Sequence, residues 1–443
     1  MRSPGASVAE IIAADRVRPR PELIADRPGA FGDDPIAVAR YTDRAFYEAE
    51  KQMVWRRTWQ MACREEHLAE VGDTYVYDVC DLSFLLVRAA VDRISGFWNF
   101  CRHRGRRLAS EPGFADVLRC PFHGFAWDLD GHMALLPAAW DFPLGSADRL
   151  DLVPVQVATW GGFVFINPDL DAPPLADHLG EMVEHFAPWR FEDRYLEAHV
   201  AKRCAANWKV VQEAFMESFH VAATHPQQLV RIGDTNSQYD CFGNVNRSIH
   251  PSGVASPSVP YVPTQQEMLD AMIDVRLDEP SLVTVPDGET MRSFVARVGR
   301  DALRPTIGAA ADAISDSELV DAIPYWVFPN LHPWAAYQRI VYRFRPDGDD
   351  HRRCLMEVML LSPFVGARPR PAPCHVLDDD EPWASAPELG ITGRILDQDV
   401  FNLPQVQAGL QLAPVDGLAL SSYQESRIRH FHHLLDRHLA GLR

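Results

Sequence analysis

The sequence predicts an α+β protein in which a small all-β domain precedes a larger domain of mixed strands and helices. Three observations support this fold class. Short alternating or apolar runs separated by turn residues fill the segment from about 58 to 170, as in a small all-β domain. Residues 171–443 contain both strand-like and helix-like periods. Apolar residues make up 47% of the chain, which allows a large packed core and excludes global disorder.

The first segment, residues 1–57, precedes the all-β domain. Residues 1 to about 40 are rich in Pro, Ala, Arg and Asp and show no sustained period, so we expect a loosely ordered arm. A helix is predicted from Thr42 to Trp59, with Asp43 near its cap. The start of the chain carries no apolar stretch of the kind that a signal peptide requires. We therefore expect a cytoplasmic protein.

Five short runs are predicted to be strands of the all-β domain, placed at residues 58–170. They are rich in β-branched and aromatic side chains and are bounded by turn residues. In chain order they are Tyr75–Tyr77, Phe84–Val87, Gly96–Phe100, Ala126–Trp127 and Phe163–Ile166. The run Asp171–Pro174 follows them and is typical of a linker.

The larger domain, residues 171–443, mixes both element types. Strands are predicted at Glu197–Arg203, Tyr337–Phe344 and Leu355–Leu361. Helical spacing covers Asn207–His220 and Ser421–Leu439, and residues 260–325 are interpreted as helices and loops. Strands and helices that are segregated in this way favour an α+β domain over a parallel α/β sheet.

Charge and cysteine content exclude several classes of protein. The net charge of −18 argues against a nucleic-acid partner, which requires a basic surface. No apolar run approaches the length of a membrane span. Eight cysteines in 443 residues do not resemble a secreted disulfide framework. Six of them are expected to be ordinary reduced thiols, which leaves Cys101 and Cys120.

Two short segments each combine one cysteine with one histidine. Cys101-Arg102-His103 is followed after sixteen residues by Cys120-Pro121-Phe122-His123. Four such donors can hold a zinc ion, or a two-iron, two-sulfide cluster in which two histidines replace two cysteines on one iron. Zinc sites pair Cys with Cys and His with His, whereas each segment here carries one of each. The spacing therefore favours a [2Fe-2S] cluster, and zinc remains the alternative.

A second set of candidate ligands lies in the larger domain. On a regular helix Glu213, Glu217 and His220 share one face. His225 lies five residues further and joins His220 only if the helix ends between them, which Pro226 favours. Two histidines and one carboxylate are the ligands of mononuclear non-haem iron, with positions open for dioxygen and substrate. The alternative is a pair of structural histidines.

These motifs resemble those of the large subunits of Rieske ring-hydroxylating oxygenases. The stretch Cys120–Phe125 is typical of their Rieske domain, and the order of Glu217, His220 and His225 matches their iron-binding segment. The resemblance runs from about residue 40 to the C-terminus and is weak between 240 and 325. It implies a Rieske domain inserted into, or adjacent to, a helix-grip catalytic domain, in which an antiparallel sheet wraps a long C-terminal helix.

The resemblance also implies the cofactors and their ligands. The [2Fe-2S] cluster would be bound by Cys101, His103, Cys120 and His123. Mononuclear Fe(II) would be bound by His220, His225 and a downstream carboxylate. In the family that carboxylate opens a helix that continues into a Val-Gln-x-Gly-Leu-like stretch, and Val406–Leu410 follows Asp399 at the matching distance. We therefore select Asp399, with Asp397 and the acidic run 378–381 as the other candidates.

The resemblance assigns Glu217 a catalytic role other than metal binding. In the family the acidic residue at this position bridges the mononuclear iron site of one subunit to a Rieske histidine of its neighbour. This implies a homotrimer, or an α3β3 assembly with a small second subunit. No dinucleotide-binding motif is visible, so NAD(P)H would be oxidised by a separate reductase, directly or through a ferredoxin.

The expected function is that of a terminal oxygenase that uses O2 to mono- or dihydroxylate an apolar, aromatic substrate, as in aromatic hydrocarbon catabolism. Two departures from the family keep other reactions open. Many ring dioxygenases have Asp where Glu217 stands, whereas relatives acting on alkylamines such as carnitine or choline have Glu, and many have Asn where Ala214 stands. Oxidative dealkylation or cleavage of an alkylamine is therefore the alternative. Hypotheses of other classes are an electron-transfer Rieske protein and a zinc-stabilised binding protein.

Two further groups of residues are assigned from their chemistry. An apolar substrate cavity is predicted to be lined by Phe215, Asn330, His332 and Trp334. A basic patch beside the first cysteine comprises Arg102, Arg104, Arg106 and Arg107. On a chain of net charge −18 this patch suits the docking of an acidic ferredoxin or reductase, and four solvated arginines are the alternative.

Overall fold

A computed structural model describes residues 5–142, 150–273 and 281–442. The described residues form an α+β protein with a β-domain in the first half and a larger sheet covered by helices in the second, as the sequence predicts. No helix in these ranges combines the length and the apolar character needed to cross a bilayer.

The N-terminal segment is packed against the rest of the protein. Its elements are α1 (Val8–Ile12), α2 (Pro21–Ile24), β1 (Ile36–Ala37), α3 (Ala39–Thr42) and α4 (Arg44–Glu50). The expectation of a loosely ordered arm was wrong for residues 5–40, because Val8 and Leu23 are buried and Arg292 holds Asp15 through a 2.8 Å contact. No local pattern shows an anchor that lies almost 300 residues away in sequence. Residues 1–4 lie outside the described residues.

The helix predicted over 42–59 begins and ends inside those limits. Asp43 caps α4 by accepting a hydrogen bond from the backbone N–H of Ala45 at 2.7 Å. The helix continues as a π-helical stretch, Lys51–Trp55, and ends four residues before the predicted boundary. Trp55 is fully buried and its ring lies 5.1 Å from that of Trp208, so this segment already belongs to the core of the larger domain.

The β-domain contains each of the strands predicted for it. Its strands are β2 (Gln60–Arg64), β3 (Asp73–Val79), β4 (Leu82–Ala90), β5 (Arg93–Trp98), β6 (Gly113–Phe114), β7 (Leu118–Arg119), β8 (Ala126–Trp127), β9 (Met133–Leu135), β10 (Pro154–Trp160) and β11 (Phe163–Asn167). One sheet has the order β2-β11-β10-β5-β4-β3-β6, and a smaller one has the order β7-β8-β9. All of these strand pairs are antiparallel.

The larger domain is built around one long sheet. Its strands are β12 (Arg194–Cys204), β13 (Gln238–Phe242), β14 (Val245–Ile249), β15 (Tyr325–Val327), β16 (Leu331–Pro333), β17 (Ile340–Pro346), β18 (Cys354–Pro363) and β19 (Cys374–Val376). They lie in the order β13-β14-β15-β16-β17-β18-β12-β19, and only β19 runs parallel to its neighbour β12. A short strand, β20 (Gly417–Leu418), pairs with β1 of the N-terminal segment.

Helices cover this sheet. They are α5 (Leu175–Leu179), α6 (Met182–Phe186), α7 (Trp208–Glu213), α8 (Val221–Thr224), α9 (Gln265–Met272), α10 (Met291–Ile307), α11 (Asp316–Val320), α12 (Ile391–Leu412) and α13 (Ser426–Leu439). The C-terminal helix α13 begins five residues after the predicted start at Ser421. It packs on the sheet through Phe431, whose ring lies 5.5 Å from both Trp208 and Trp326. This arrangement agrees with the expected sheet around a C-terminal helix.

A buried ion pair joins the N-terminal segment to α7. Glu50 Oε1 lies 2.6 Å from Lys209 Nζ, and both side chains are 0% exposed. Burial raises the pKa of Glu50 and lowers the pKa of Lys209. Each charge is therefore tolerated only because the other compensates it.

Replacing Lys209 with methionine should leave the Glu50 carboxylate uncompensated in the core. We expect the free energy of unfolding to fall by about 3–5 kcal/mol, measured by urea denaturation. As a control, Arg93→Met breaks the exposed 2.8 Å pair with Asp130 and should cost at most about 1 kcal/mol. Equal losses in the two variants would contradict the prediction.

Candidate functional site

Two loops of the β-domain have matching backbone geometry around their cysteines. The carbonyl oxygen of Cys101 accepts a hydrogen bond from the N–H of Gly105 at 2.9 Å, and that of Cys120 accepts one from Gly124 at 3.0 Å. Both glycines have positive φ, +74° and +80°, which side chains rarely adopt. The glycines therefore let each loop turn back just after its ligands.

The four predicted cluster ligands converge at the ends of these loops. Cys101 and Cys120 are buried, and their thiols are hydrogen-bond partners of each other. The rings of His103 and His123 lie 4.6 Å apart, and the His103 ring stacks at 4.7 Å on Phe125. Nδ1 of His103 is buried and has no hydrogen-bond partner among the described residues. Two thiols, two imidazoles and this orphaned nitrogen fit a [2Fe-2S] cluster held by Cys and His.

The second motif does not continue as one helix. Asn207 caps α7, because its side chain accepts a hydrogen bond from the N–H of Lys209 at 3.0 Å, and the helix ends at Glu213. The prediction of a helix over Asn207–His220 was therefore wrong beyond Glu213. The reason is local competition for backbone groups. Glu217 accepts a hydrogen bond from the backbone N–H of His220 at 2.9 Å, and Ser218 binds Tyr239 through its N–H at 3.3 Å.

The break in the helix brings the two predicted histidines together. His225 has φ −128° and ψ 53°, outside the helical region, as its position before Pro226 predicts. Nε2 of His225 lies 2.7 Å from Oδ1 of Asp399, and Nε2 of His220 lies 3.5 Å from the same oxygen. One ligand atom from each of the three residues lies within 4.8 Å of the others. Two imidazoles and one carboxylate in this arrangement fit a single iron ion.

Both histidines are fixed by bonds to their second ring nitrogen. Nδ1 of His220 donates to Oε1 of Glu217 at 2.7 Å, and Nδ1 of His225 donates to Oε1 of Gln398 at 2.8 Å. Each Nε2 is thereby left to face Asp399, as a proton donor to the carboxylate without metal and as an electron-pair donor where a metal replaces that proton. Burial alone would raise the pKa of Asp399, but the hydrogen bonds from the two histidines lower it. Burial would lower the pKa of His220, but its hydrogen bonds to Asp399 and Glu217 raise it to about 10. A metal ion that replaced the Nε2 protons would therefore meet two imidazole nitrogens and one carboxylate.

The downstream carboxylate lies in the interior of α12, not at its start. α12 begins at Ile391, eight residues before Asp399, because Gly390 and the preceding short turns already open the helix. Asp397, the second candidate, accepts hydrogen bonds from the backbone N–H groups of Trp383 and Ala384 at 2.7 and 3.1 Å. The third candidate, the run 378–381, binds Arg353 and lies largely at the surface. Neither alternative reaches the histidines.

Three of the four predicted pocket residues lie on the sheet side of α7. The ring of Phe215 is 5.0 Å from Tyr342 and that of Trp334 is 6.2 Å from Tyr342. His332 is 0% exposed and lies one strand away on the same sheet. The exception is Asn330, whose Nδ2 donates to the hydroxyl of Tyr77 in the β-domain at 3.2 Å. Asn330 lies in the turn between β15 and β16, where strand alternation does not apply.

A cavity that no pattern in the sequence indicates opens beside the candidate iron ligands. It has a volume of about 430 Å³. Carboxylates of Glu213, Glu217 and Glu425 line it together with His220, Asp399 and aliphatic side chains of α12. Glu213 accepts a hydrogen bond from Tyr41 at 3.0 Å. Tyr41 and Glu425 come from distant parts of the chain, so no spacing in the sequence connects them.

Comparison with known proteins agrees with this architecture. The family model described as ring hydroxylating alpha subunit (catalytic domain) matches residues 183–441, and the Rieske [2Fe-2S] domain matches residues 58–147. The second match resolves the choice between a [2Fe-2S] cluster and zinc in favour of the cluster.

Curated relatives include two oxygenase subunits. The carnitine monooxygenase oxygenase subunit of Escherichia coli (strain K12) is 34% identical over 195 residues, which cover 43% of this chain and 52% of that protein. The glycine betaine monooxygenase oxygenase subunit of Pseudomonas aeruginosa (strain PAO1) is 30% identical over 192 residues, or 43% of this chain and 44% of that protein. The match thus spans about half the length of these relatives.

Two solved structures share the fold. A quaternary ammonium Rieske monooxygenase in complex with L-carnitine superposes with a TM-score of 0.64 at 19% identity, covering 91% of this chain and 95% of that one. Naphthalene 1,2-dioxygenase with bound indole gives a TM-score of 0.63 at 17% identity, covering 93% of each chain. Because the catalytic-domain model matches more than half of its residues and a Rieske domain precedes that match, the chain belongs to the alpha subunits of the Rieske ring-hydroxylating oxygenases.

Proposed function

We propose that this chain is a terminal oxygenase component that uses O2 and electrons from a separate ferredoxin or reductase to oxidise a small organic substrate. The observation that carries the proposal is the presence of two separate donor sets, one of cysteines and histidines in the β-domain and one of His220, His225 and Asp399 in the larger domain. When bound, the cluster would supply single electrons and the mononuclear iron would supply open positions for O2 and substrate.

The protein's own residues hold and orient these groups. Cys101, Cys120, His103 and His123 would hold the cluster at an exposed tip of the β-domain. Glu217 and Gln398 would hold the iron-binding imidazoles in the tautomer that leaves Nε2 free. The burial of Asp399 and His225 keeps that side of the site from water.

An iron and sulfide count, combined with a visible spectrum and O2 uptake, tests this function. The oxygenase should contain two sulfides and three irons per chain, two in the cluster and one mononuclear. It should also consume O2 when a surrogate reductase is supplied. An electron-transfer Rieske protein would lack the third iron, and a zinc-stabilised binding protein would be colourless.

The surface around Glu217 supports the proposed homotrimer or α3β3 assembly. Phe219 is 54% exposed beside the iron ligands, and Phe401 on α12 is 78% exposed. Phe122, which lies between two cluster ligands, is also exposed at 56%. Exposed aromatic groups at both places suit a contact in which the tip of one β-domain covers the iron site of its neighbour. The mass of the particle in solution tests the assembly.

The surroundings of the candidate iron site suit two substrate classes. The aromatic side chains of Phe215, Trp334 and Tyr342 support the apolar, aromatic substrate expected from the sequence. A second candidate is an alkylamine that is oxidatively dealkylated or cleaved. It is favoured by the carboxylates Glu213 and Glu425 in the cavity beside the iron ligands and by the similarity to carnitine and glycine betaine monooxygenase subunits. A product screen with naphthalene and choline as first members of the two classes separates them.

The basic patch beside the cluster supports docking of an acidic electron donor, but its members differ. Arg107 already binds Asp78 through contacts of 2.6 and 2.7 Å, and Arg104 lies 5.4 Å above the ring of Phe122. Arg106 is exposed and, within the described residues, donates only to the backbone carbonyl of Arg107. Its charge is therefore the most available to a partner.

Reversing this charge in Arg106→Glu should slow reduction by the donor about ten-fold at low salt and flatten the dependence of the rate on salt. Stopped-flow bleaching of the cluster absorbance measures the rate. Arg370→Glu, at an exposed position of the larger domain, serves as the control. An unchanged salt profile in Arg106→Glu would remove the patch from donor docking.

A further inference from the structure

Three buried polar atoms on the sheet side of α7 have no hydrogen-bond partner within the described residues. They are Nε2 of Gln212, Nδ1 of His332 and Nε1 of Trp334. Buried polar groups are almost always paired. Three orphaned atoms in one region therefore indicate that a partner is missing from the protein itself.

These atoms belong to one continuous cluster of side chains. Nε2 of His332 lies 3.4 Å from Oε1 of Gln212, and the His332 ring lies 4.8 Å from Phe344. Phe344 lies 6.0 Å from Tyr342, which in turn lies 6.2 Å from Trp334. The cluster also approaches the candidate iron ligands, because the ring of Tyr342 lies 5.0 Å from that of Phe215, two residues before Glu217. After burial, the charge of Asp399 contributes to the raised pKa of Tyr342. The cluster is therefore next to the proposed site of oxidation.

The hydrogen-bonding roles of two of the atoms are fixed by their neighbours. Oε1 of Gln212 accepts from Nε1 of Trp326 at 3.2 Å and faces Nε2 of His332. The amide nitrogen of Gln212 is therefore left as a donor. Trp334 can only donate. Burial lowers the pKa of His332 well below its ordinary value, so this ring is neutral.

Arg427 adds a positive charge on the β14 side of the cluster. Its side chain is 0% exposed. Its guanidinium donates to Oδ1 of Asn246, the carbonyl of Met216 and Oγ of Ser248, while Nη2 has no partner in the part of the chain that the structure describes. No carboxylate of the described residues forms an ion pair with it. Burial lowers the pKa of Arg427 to about 10, so the group remains charged at neutral pH.

Sheet pairing places Ser248, which binds Arg427, and Trp334 at corresponding positions of the sheet, one on either side of Pro324. The N–H of Ser248, whose hydroxyl binds Arg427, donates to the carbonyl of Pro324 at 3.0 Å. Pro324 in turn pairs with Trp334 across the next strands. The charge of Arg427 also contributes to the lowered pKa of His332. The guanidinium and the orphaned atoms therefore act on the same buried region.

We propose that Arg427, Gln212 and Trp334 form a receptor for a carboxylate group carried by the substrate. The inference rests on the proposed oxygenase function, because it places that carboxylate beside the iron ligands. Three unpartnered donors, one of them charged, match the acceptor-only oxygens of a carboxylate. A carboxylate would also supply the counter-ion that the buried guanidinium lacks.

Binding to the metal-loaded protein under anaerobic conditions tests the proposal without turnover. We would compare two pairs of probes in which an isopropyl group replaces a carboxylate of similar shape. One pair is benzoate and cumene, and the other is glycine betaine and isobutyltrimethylammonium, so that the aromatic and the alkylamine substrate classes are both tested. Titration calorimetry should show that the carboxylate probe binds at least about ten-fold more tightly than its isopropyl counterpart in one pair or in both.

Variants assign that preference to the receptor. Arg427→Met and Gln212→Leu should each reduce the carboxylate preference to about two-fold or less, since the first removes a charged donor and the second a neutral amide donor. Arg429→Met is the matched control, because Arg429 is also a buried arginine of α13 but donates only to the carbonyls of Ser421, Asp34 and Leu420. It should retain the preference. If Arg427→Met fails to fold and to assemble its [2Fe-2S] cluster, the carboxylate preference of Gln212→Leu and Trp334→Phe decides whether the receptor exists.

Two results would overturn the proposal. One is the absence of a carboxylate preference in both probe pairs, and the other is a preference that survives in Arg427→Met and Gln212→Leu. Ordered water would then be the partner of the orphaned atoms. These outcomes are independent of the oxygenase function, which is decided by the third iron and by O2 uptake.

Discussion

Asp399→Ala should abolish the mononuclear iron site and leave the cluster intact. Among the described residues, only the Asp399 carboxylate lies against the Nε2 atoms of both His220 and His225, so its removal leaves two imidazole nitrogens, which bind Fe(II) weakly. We expect iron affinity to fall by more than about 100-fold, since loss of an outer partner alone costs 10–100-fold. The iron count should fall by one per chain, with an unchanged Rieske spectrum and no O2-dependent product.

Asp397→Ala provides the matched control for this variant. Asp397 is two residues away on the same helix, but it caps the backbone of Trp383 and Ala384. Its loss should reduce the free energy of unfolding by about 1 kcal/mol and leave the iron in place. If Asp397→Ala lost the iron and Asp399→Ala retained it, the choice between the two carboxylates would be reversed.

Glu217→Gln should have the second largest effect, and for a different reason. Glutamine has nearly the shape of glutamate but lacks the charge that stabilises the two hydrogen bonds to His220. We expect the cluster and most of the mononuclear iron to remain and product formation to fall at least about 100-fold. The proposed reason is loss of the link between the iron site of one subunit and a Rieske histidine of the next.

Single-turnover experiments separate this role from simpler ones. After chemical reduction of the cluster, its reoxidation by O2 in the presence of substrate should be slow in Glu217→Gln and fast in Glu425→Gln. Glu425 lines the same cavity but binds Ser421 and no iron ligand. Loss of the mononuclear iron in Glu217→Gln would make this residue a ligand, and normal turnover would remove it from the mechanism.

The candidate ligand residues differ in how far the sequence could identify them. The cluster loops are local, because each needs only a cysteine, a histidine and a glycine within a few residues, such as Cys101, His103 and Gly105. Spacing alone is sufficient there. The choice of Asp399 depends on a contact with His225 made across 174 residues, and only the resemblance to the family indicated it.

The errors of prediction have local physical causes. Helical periodicity over 207–220 did not account for Glu217 and Ser218, whose side chains bind backbone groups and end α7. Asn330 was placed in the pocket because it is close in sequence to His332, but a turn directs it to the β-domain. The cavity beside the iron and the unpartnered guanidinium of Arg427 depend on tertiary packing alone.

The pairing of the two ends of the chain has a consequence for biosynthesis. Tyr41 and Trp55 precede the β-domain in sequence, but they pack with His432 and with Trp208, which in turn contacts Phe431. The strands of the β-domain have all their partners once Asn167 has left the ribosome, because β11 pairs with β2. Domains fold as units, N-terminal ones first. The nascent chain can therefore complete its cluster-binding loops while the larger domain still lacks α13, which leaves an interval for cluster insertion before that domain closes.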